Sequence, residues 1–157
     1  MDLRRELSEE VQANHTAVDA FDEAAAAYMG VNRTDLRCLE VLGRSGATTP
    51  TRLGTALGLT TGSVTAMLDR LERLGYLTRS PDPGDRRKVI VRATPIAAAE
   101  SRVVYGPVAE EGARFLAEYT DEQVALLLGF TRRVREMYDR QFARVRSLAA
   151  ERRPAKH

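Results

Sequence analysis

Apolar residues at helical spacing run through Leu3, Leu7, Val11, Val18, Phe21, Ala25 and Tyr28, and this spacing predicts a long first helix with one buried face. Gly30 and Asn32 end it. Leu36, Leu39 and Leu42, with Val41 beside them, predict a second helix capped by Thr34 and closing near 43–46. Thr49-Pro50 opens a short third helix on Leu53, Ala56 and Leu57, stopped by Gly58; proline suits the first helical position because the amide it lacks would be unpaired there anyway. Thr60 caps a fourth helix whose stripe is Val64, Met67, Leu68, Leu71 and Leu74, closed by Gly75.

The period then changes. Tyr76–Ser80 reads as a short strand, and Lys88–Ala93 alternates, with Val89, Val91 and Ala93 on one face. Between them, Pro81-Asp82-Pro83-Gly84 is turn chemistry, with glycine expected at positive φ. Thr94-Pro95 opens a fifth helix, in which Gly106-Pro107 predicts a kink. Thr120 with Gln123 forms a capping box for a long sixth helix running through Val124, Leu127, Leu128, Val134, Met137, Tyr138, Phe142 and Val145. The tail 151–157 is polar and expected to fray.

The fold class is therefore mainly α with a small β-hairpin. A short helix, a glycine turn, a second helix and then a charged hairpin make a winged helix-turn-helix, in which the second helix enters the major groove and the hairpin wing follows the backbone or a minor groove. Charge agrees with that reading. Eight basic residues against four acidic ones lie between Pro50 and Arg92, in a chain whose formal net charge is only +2. Positive charge collects where a phosphate-facing surface requires it.

Burying Val64, Leu68 and Leu71 turns Thr61, Gly62, Thr65, Ala66, Asp69, Arg70 and Arg73 outward. Thr61, Ser63 and Thr65 are small hydroxylated residues near the helix start, where a threonine can bond a base and touch a thymine methyl. Arg70 suits either a base or a phosphate, and Arg73 a phosphate or solvent. Asp69 is repelled by phosphates and needs a cationic partner, for which a wing arginine is the natural choice. At the wing tip, Arg86, Arg87 and Lys88 are consecutive, and narrow minor grooves attract inserted arginine.

The segment 53–77 (LGTALGLTTGSVTAMLDRLERLGYL) with 85–94 (DRRKVIVRAT) closely resembles the MarR family of bacterial transcriptional regulators. The run Val64-Thr65-x-x-Leu68-Asp69-Arg70-Leu71-Glu72-x-x-Gly75 and the wing pattern Asp85-x-Arg87 carry the likeness, and the order of six helices around the wing extends it over nearly the whole chain. Ala93, where leucine is usual, and Gly62, which leaves a contact position bare, depart from the pattern. The resemblance implies a homodimer on double-stranded DNA. Helix one (1–32) and the C-terminal helices (94–150) would form the dimerisation region, around a DNA-binding lobe at 33–93. Independently, the terminal apolar stripes exceed what one small lobe could cover. The resemblance also implies that Asp69 pairs with Arg87, with Asp85 bracing the wing, and that half-sites lie about 34 Å apart. Repression by promoter occlusion is the family's common mode.

Such regulators often release DNA on binding a small aromatic or anionic effector between the dimer helices and the lobe. His15, Tyr28, Arg37, Cys38 and Tyr105 are the candidates here. His15, near an apolar stripe, also fits a structural role. Cys38 is the single cysteine; it excludes an internal disulfide and suits a reducing, cytoplasmic setting, with peroxide sensing as the alternative role. No metal site or cofactor is expected, since His15 and His157 are the only histidines. Nor does any Gly-rich phosphate cradle or Ser/His/Asp arrangement point to an enzyme. No apolar stretch is long enough to span a bilayer, and 1–10 lacks the apolar centre of a signal peptide. A winged-helix module binding protein rather than DNA is the competing reading.

Overall fold

The computed structural model describes residues 2–152. Its elements, in order, are α1 (Leu3–Met29), α2 (Arg33–Ser45), β1 (Ala47–Thr48), α3 (Pro50–Leu57), α4 (Thr61–Arg73), β2 (Leu77–Pro81), β3 (Val89–Ala93), α5 (Pro95–Leu116) and α6 (Asp121–Glu151). The chain divides into two compact units, Met1–Pro107 and Val108–His157. The expected tail lies outside the described residues from position 153 on. Among the described residues, no helix is long and apolar enough to cross a membrane.

The core of the first unit forms where the predicted stripes meet. Leu36, Leu39 and Leu42 of α2, Leu53 of α3, Val64, Met67, Leu68 and Leu71 of α4, Leu77 and Val91 of the sheet and Ala97 of α5 are all buried in one cluster. On α1 most of the expected buried face is exposed, Leu3, Leu7, Val18, Phe21 and Tyr28 included; on α3 and α4 two expected core positions also fall outside the cluster, Ala56, which is exposed, and Leu74, which is 45% exposed. These two sit at the outer edge of their stripes, where no neighbouring element covers them. The space at Ala56 goes instead to Gly54, which is buried. A Cβ on Gly54 would lie 3.2 Å from Val64 Cγ2 and 3.4 Å from the Leu59 carbonyl oxygen. The corner between α3 and α4 thus closes over a missing methyl group.

Caps follow side-chain chemistry closely. Thr49, Thr60 and Thr120 cap α3, α4 and α6, the last with the expected Gln123 box. For α2 the cap is Asn32, not Thr34. Asn32 Oδ1 accepts from the Asp35 amide at 2.9 Å, and the Asp35 carboxylate accepts from the Asn32 amide at 3.4 Å. This reciprocal pair satisfies two free amides, which Thr34 alone would not do.

The sheet has the order β1-β3-β2, antiparallel throughout. β1, only two residues long, has no periodicity of its own; it exists because Ala47 and Thr48 pair with Arg92 and Val91. The hairpin turn also differs from expectation. Gly84 is absent from the positive-φ glycines, which are Gly30, Gly46, Gly58 and Gly75. Asp82 Oδ1 instead accepts from the Gly84 amide at 2.7 Å, and the Lys88 amide donates to the Asp85 carbonyl at 2.8 Å. Asx chemistry and a tight turn through Arg86-Arg87 therefore shape the tip, with no left-handed residue.

Two hydroxyls fasten the lobe to its flanking helices. Thr94 Oγ1 donates to the Gly75 carbonyl at 2.6 Å and accepts from the Ala97 amide, joining the end of α4 to the start of α5. Tyr76 Oη donates to the Met29 carbonyl at 3.0 Å, joining β2 to the end of α1. α5 continues as helix through Pro107. Within the second unit, α6 buries none of its residues, and it exposes Leu126 at 75% and Phe142 at 61%.

Candidate nucleic-acid interface

The inward faces of α4 determine what it can present. With Val64, Met67, Leu68 and Leu71 buried, the geometry of about 100° per residue turns Gly62, Ala66, Asp69 and Arg73 directly outward, with Thr65 beside them. All five are exposed. Gly62 is open: an added Cβ would meet nothing within 4 Å. Thr65 Oγ1 donates to the Thr61 carbonyl at 3.1 Å, so its hydroxyl proton is committed to the helix. Its methyl and the oxygen lone pairs remain for a ligand. Arg73 donates from Nε to the Asp69 carbonyl at 3.2 Å, which lays it along the end of this ridge.

Two candidate contact residues, Ser63 and Arg70, lie on a flank of this ridge. Ser63 Oγ sits 2.9 Å from Thr60 Oγ1 as part of the helix cap. Arg70 forms a two-pronged pair with Asp35 of α2, Nη2 to Oδ1 at 2.7 Å and Nε to Oδ2 at 3.2 Å. That pair raises the pKa of Arg70, chiefly through its hydrogen bond to Asp35.

The partner of Asp69 also needs correcting. The expected Asp69–Arg87 pair is not formed. Asp69 Oδ1 lies 2.7 Å from Nη2 of Arg79 on β2, while Arg87 is 94% exposed at its side chain and its ion pair is with Asp85, at 3.5 Å. The register explains this. Leu77, Arg79 and Pro81 oppose Ala93, Val91 and Val89, so Arg79 shares the face of the buried Leu77 and Val91 and points toward α4. There it also holds Glu72: Arg79 Nε donates to Glu72 Oε2 at 3.0 Å, its amide to Oε1 at 3.3 Å, and Nη2 pairs with Oε2 as well. The Arg79 side-chain hydrogen bond is the main cause holding the Glu72 carboxyl below its ordinary pKa. Arg79, Glu72 and Asp35 were missed in the sequence. The signals were present: Arg79 alternates with Leu77, and Asp35 shares the α2 stripe with Leu39 and Leu42.

At the wing tip, Arg86, Arg87 and Lys88 are exposed. Asp85 organises two of them, accepting from the Arg87 amide at 3.2 Å and pairing with Lys88 Nζ at 3.5 Å. The cations are therefore held at a turn but remain in solvent.

The effector candidates separate. A cleft of about 940 Å³ between α2, α3 and α5 is lined by Arg37, Glu40, Arg44, Leu57 and Tyr105 among others. Tyr105 Oη donates to Asp22 at 3.2 Å, and its ring meets Phe21 edge-on with centroids 5.5 Å apart. Tyr28, 60% exposed, lies by Glu100, whose charge raises its pKa. His15 is half-buried on α1. Neither Tyr28, His15 nor Cys38 lines the cleft. Cys38 has no exposed surface, and burial, then the Asp35 charge, push its thiol pKa up to about 12. A peroxide sensor needs the opposite, an accessible thiol of low pKa.

A helix-turn-helix whose second helix bears an open ridge, tied to a hairpin with a cationic tip, defines a winged helix-turn-helix protein. Comparison with known proteins narrows the class. Residues 31–89 match the model of the MarR family. An uncharacterized HTH-type transcriptional regulator of Bacillus subtilis, YcgE, is 35% identical over 128 residues, covering 80% of this chain and 82% of that protein. The chain belongs to the MarR family of transcriptional regulators. Among solved structures, the YusO protein of Bacillus subtilis superposes with a TM-score of 0.61 at 21% identity, over 85% of this chain and 95% of that one. A mutant MarR from E. coli, complexed with operator DNA, superposes with a TM-score of 0.51 at 26% identity, over 85% and 99%.

Proposed function

We propose that this regulator is a cytoplasmic homodimer that binds a pseudo-palindromic operator in double-stranded DNA and represses transcription by occluding a promoter. One observation carries the reading: the open ridge of α4 and the cationic wing belong to one surface, because Arg79 ties the wing strand to Asp69 and Glu72 on α4. Thr61, Gly62, Thr65 and Arg73 meet the major groove, and Arg86, Arg87 and Lys88 meet phosphate or the adjoining minor groove. The operator complex of the E. coli relative supports the DNA assignment.

A second copy supplies the other half-site. Its support is the surface of the terminal helices: Val103, Leu126 and Phe142 are at least 60% exposed, more apolar surface than a monomer usually leaves in water. An aromatic or anionic effector would find Arg37 and Arg44 for its charge, and Leu57 and Tyr105 for its ring, in the cleft between α2, α3 and α5.

Selection of bound sequences from a random duplex pool tests this reading. The expected result is an inverted repeat with half-sites about one helical turn apart, bound with an affinity that falls steeply between about 50 and 200 mM salt. No recovered motif, or a salt-independent affinity, would sink it.

A further inference from the structure

Arg70 lies on the recognition helix, and a free arginine there would read DNA. We propose instead that Asp35 is a positioning residue that withholds Arg70 from the nucleic acid and uses it to fix the roll of α4.

The geometry is specific. Asp35 is 2% exposed, so its carboxylate has left water. Both oxygens are taken: Oδ1 by Arg70 Nη2 at 2.7 Å, and Oδ2 by Arg70 Nε at 3.2 Å and by the Asn32 amide at 3.4 Å. A buried carboxylate needs its cation, and removing the cation would strand the charge. The planar guanidinium fork also fixes direction as well as distance. Asp35 is itself anchored, because its amide and carboxylate close the capping box that begins α2.

The position of this pair on α4 gives it a function. Around the helix, Arg70 lies on the flank toward α2, whereas Glu72 lies on the flank toward β2, where Arg79 holds it together with Asp69 of the outward ridge. Gly62, Ala66 and Arg73 fall between the two flanks. The outward ridge is thus held by charge-assisted ties on both sides. With one tie cut, the apolar stripe still buries α4, but apolar contacts are non-directional and leave its roll less defined. A few degrees of roll displace side-chain tips where base contacts are made, while phosphate contacts through long, flexible cations tolerate the change.

This inference rests on the DNA-binding reading, and its test keeps the two apart. The probes are a duplex recovered by selection with the wild-type chain and a random-sequence duplex of equal length. Affinities are measured across about 50 to 200 mM salt for wild type, Asp35→Asn, Arg70→Lys and the double variant Asp35→Asn/Arg70→Gln, with thermal melts establishing that each is folded. The uncharged double variant strands no charge in the core, so it remains informative if a single variant fails to fold. The expected result is a loss of about tenfold or more on the selected duplex in all three variants, with random-duplex affinity unchanged or higher and an unaltered slope of log affinity against log salt. No phosphate contact has been removed, so counterion release is the same. The double variant should lose no more than Asp35→Asn alone, because both act on one tie.

A different pattern would overturn the proposal. If the double variant weakens both duplexes alike and lowers the salt slope by about one contact, while Asp35→Asn leaves selectivity intact, Arg70 is a DNA contact. Wild-type selectivity in Arg70→Lys would equally overturn it, since lysine keeps the charge but not the fork. A wild-type chain that selects no sequence removes the DNA reading itself, and the wild-type arm alone reveals that outcome.

Discussion

Arg79 of β2 reaches back to Asp69 of α4 across 2.7 Å, and the same guanidinium holds Glu72 one turn further along the helix. One cation therefore neutralises two carboxylates on the helix proposed to face phosphates. It also ties the wing to that helix.

Arg79→Ala should weaken operator binding by about tenfold or more, roughly one or two charge-assisted contacts. Stability should fall modestly, because the tie to Glu72 is only half-exposed. The loss comes from unmasking Asp69 and Glu72, so adding Asp69→Asn should restore part of the affinity. A mobility-shift titration showing no recovery in the double variant would reject the masking role.

The Glu72–Arg79 tie should respond to acid. The folded Glu72 carboxyl is held below its ordinary value of 4.5, mainly by the Arg79 hydrogen bond. A lowered folded pKa contributes stability above the unfolded value, and that contribution is lost as pH falls through the folded one. Glu72→Gln should therefore be less stable than wild type at pH ~7, and the gap should close as pH falls past the ordinary value and through the lowered folded one. Urea midpoints measured at the two ends of that range check this; a gap that persists in acid assigns the loss to another cause.

Arg87 makes a different kind of contribution. Its side chain is 94% exposed, and it pairs with Asp85 only loosely, at 3.5 Å, so Arg87→Ala should leave the melting temperature unchanged. Operator affinity should fall by about tenfold, with the salt slope reduced by about one. Unaltered affinity would remove Arg87 from the interface.

Thr65 offers a methyl and lone pairs rather than a proton, because its hydroxyl donates to Thr61. Thr65→Ala should change which sequence is selected more than it changes affinity for random duplex. Thr65→Val keeps the methyl and should preserve a thymine preference, which replacing that thymine by uracil in the duplex would abolish. Insensitivity to the missing thymine methyl would leave Thr65 only its acceptor role.

Gly54 and Gly62 should respond to alanine with opposite signs. At Gly54 the new Cβ would meet Val64 Cγ2 at 3.2 Å, and overpacking of this kind costs about 1–3 kcal/mol, more than the gain of up to about 1 kcal/mol from helix propensity. At Gly62 nothing lies within 4 Å, so the propensity gain should stand. Urea unfolding of the two variants decides; stabilisation by both would mean that the α3–α4 corner yields easily.

The helices and the wing were legible because their stripes, caps and breakers all agree with one fold. What escaped had a common physical character. β1 has order only through its pairing with Arg92 and Val91. The Asn32 cap depended on a reciprocal bond from Asp35. Of the candidate site, the exposure of Thr65, Arg73 and the wing-tip cations was legible. The partners of Arg70 and Asp69 were not legible, since they lie 35 and 10 residues away along the chain. Periodicity can show that a charged side chain faces inward, but it leaves no trace of which distant charge it meets. The residue type shows that a partner is required, and only the fold shows which one it is.

The two glycines of the helix-turn-helix also carry an evolutionary consequence. Gly54 is a locked position, because any larger residue pushes against Val64 and the Leu59 carbonyl. Gly62 is a vacant one, where an added Cβ meets nothing within 4 Å. A lineage descending from this regulator could change its target sequence by a single codon at Gly62, with no compensating change in the core. Its ancestry would be recorded at Gly54 and its divergence at Gly62.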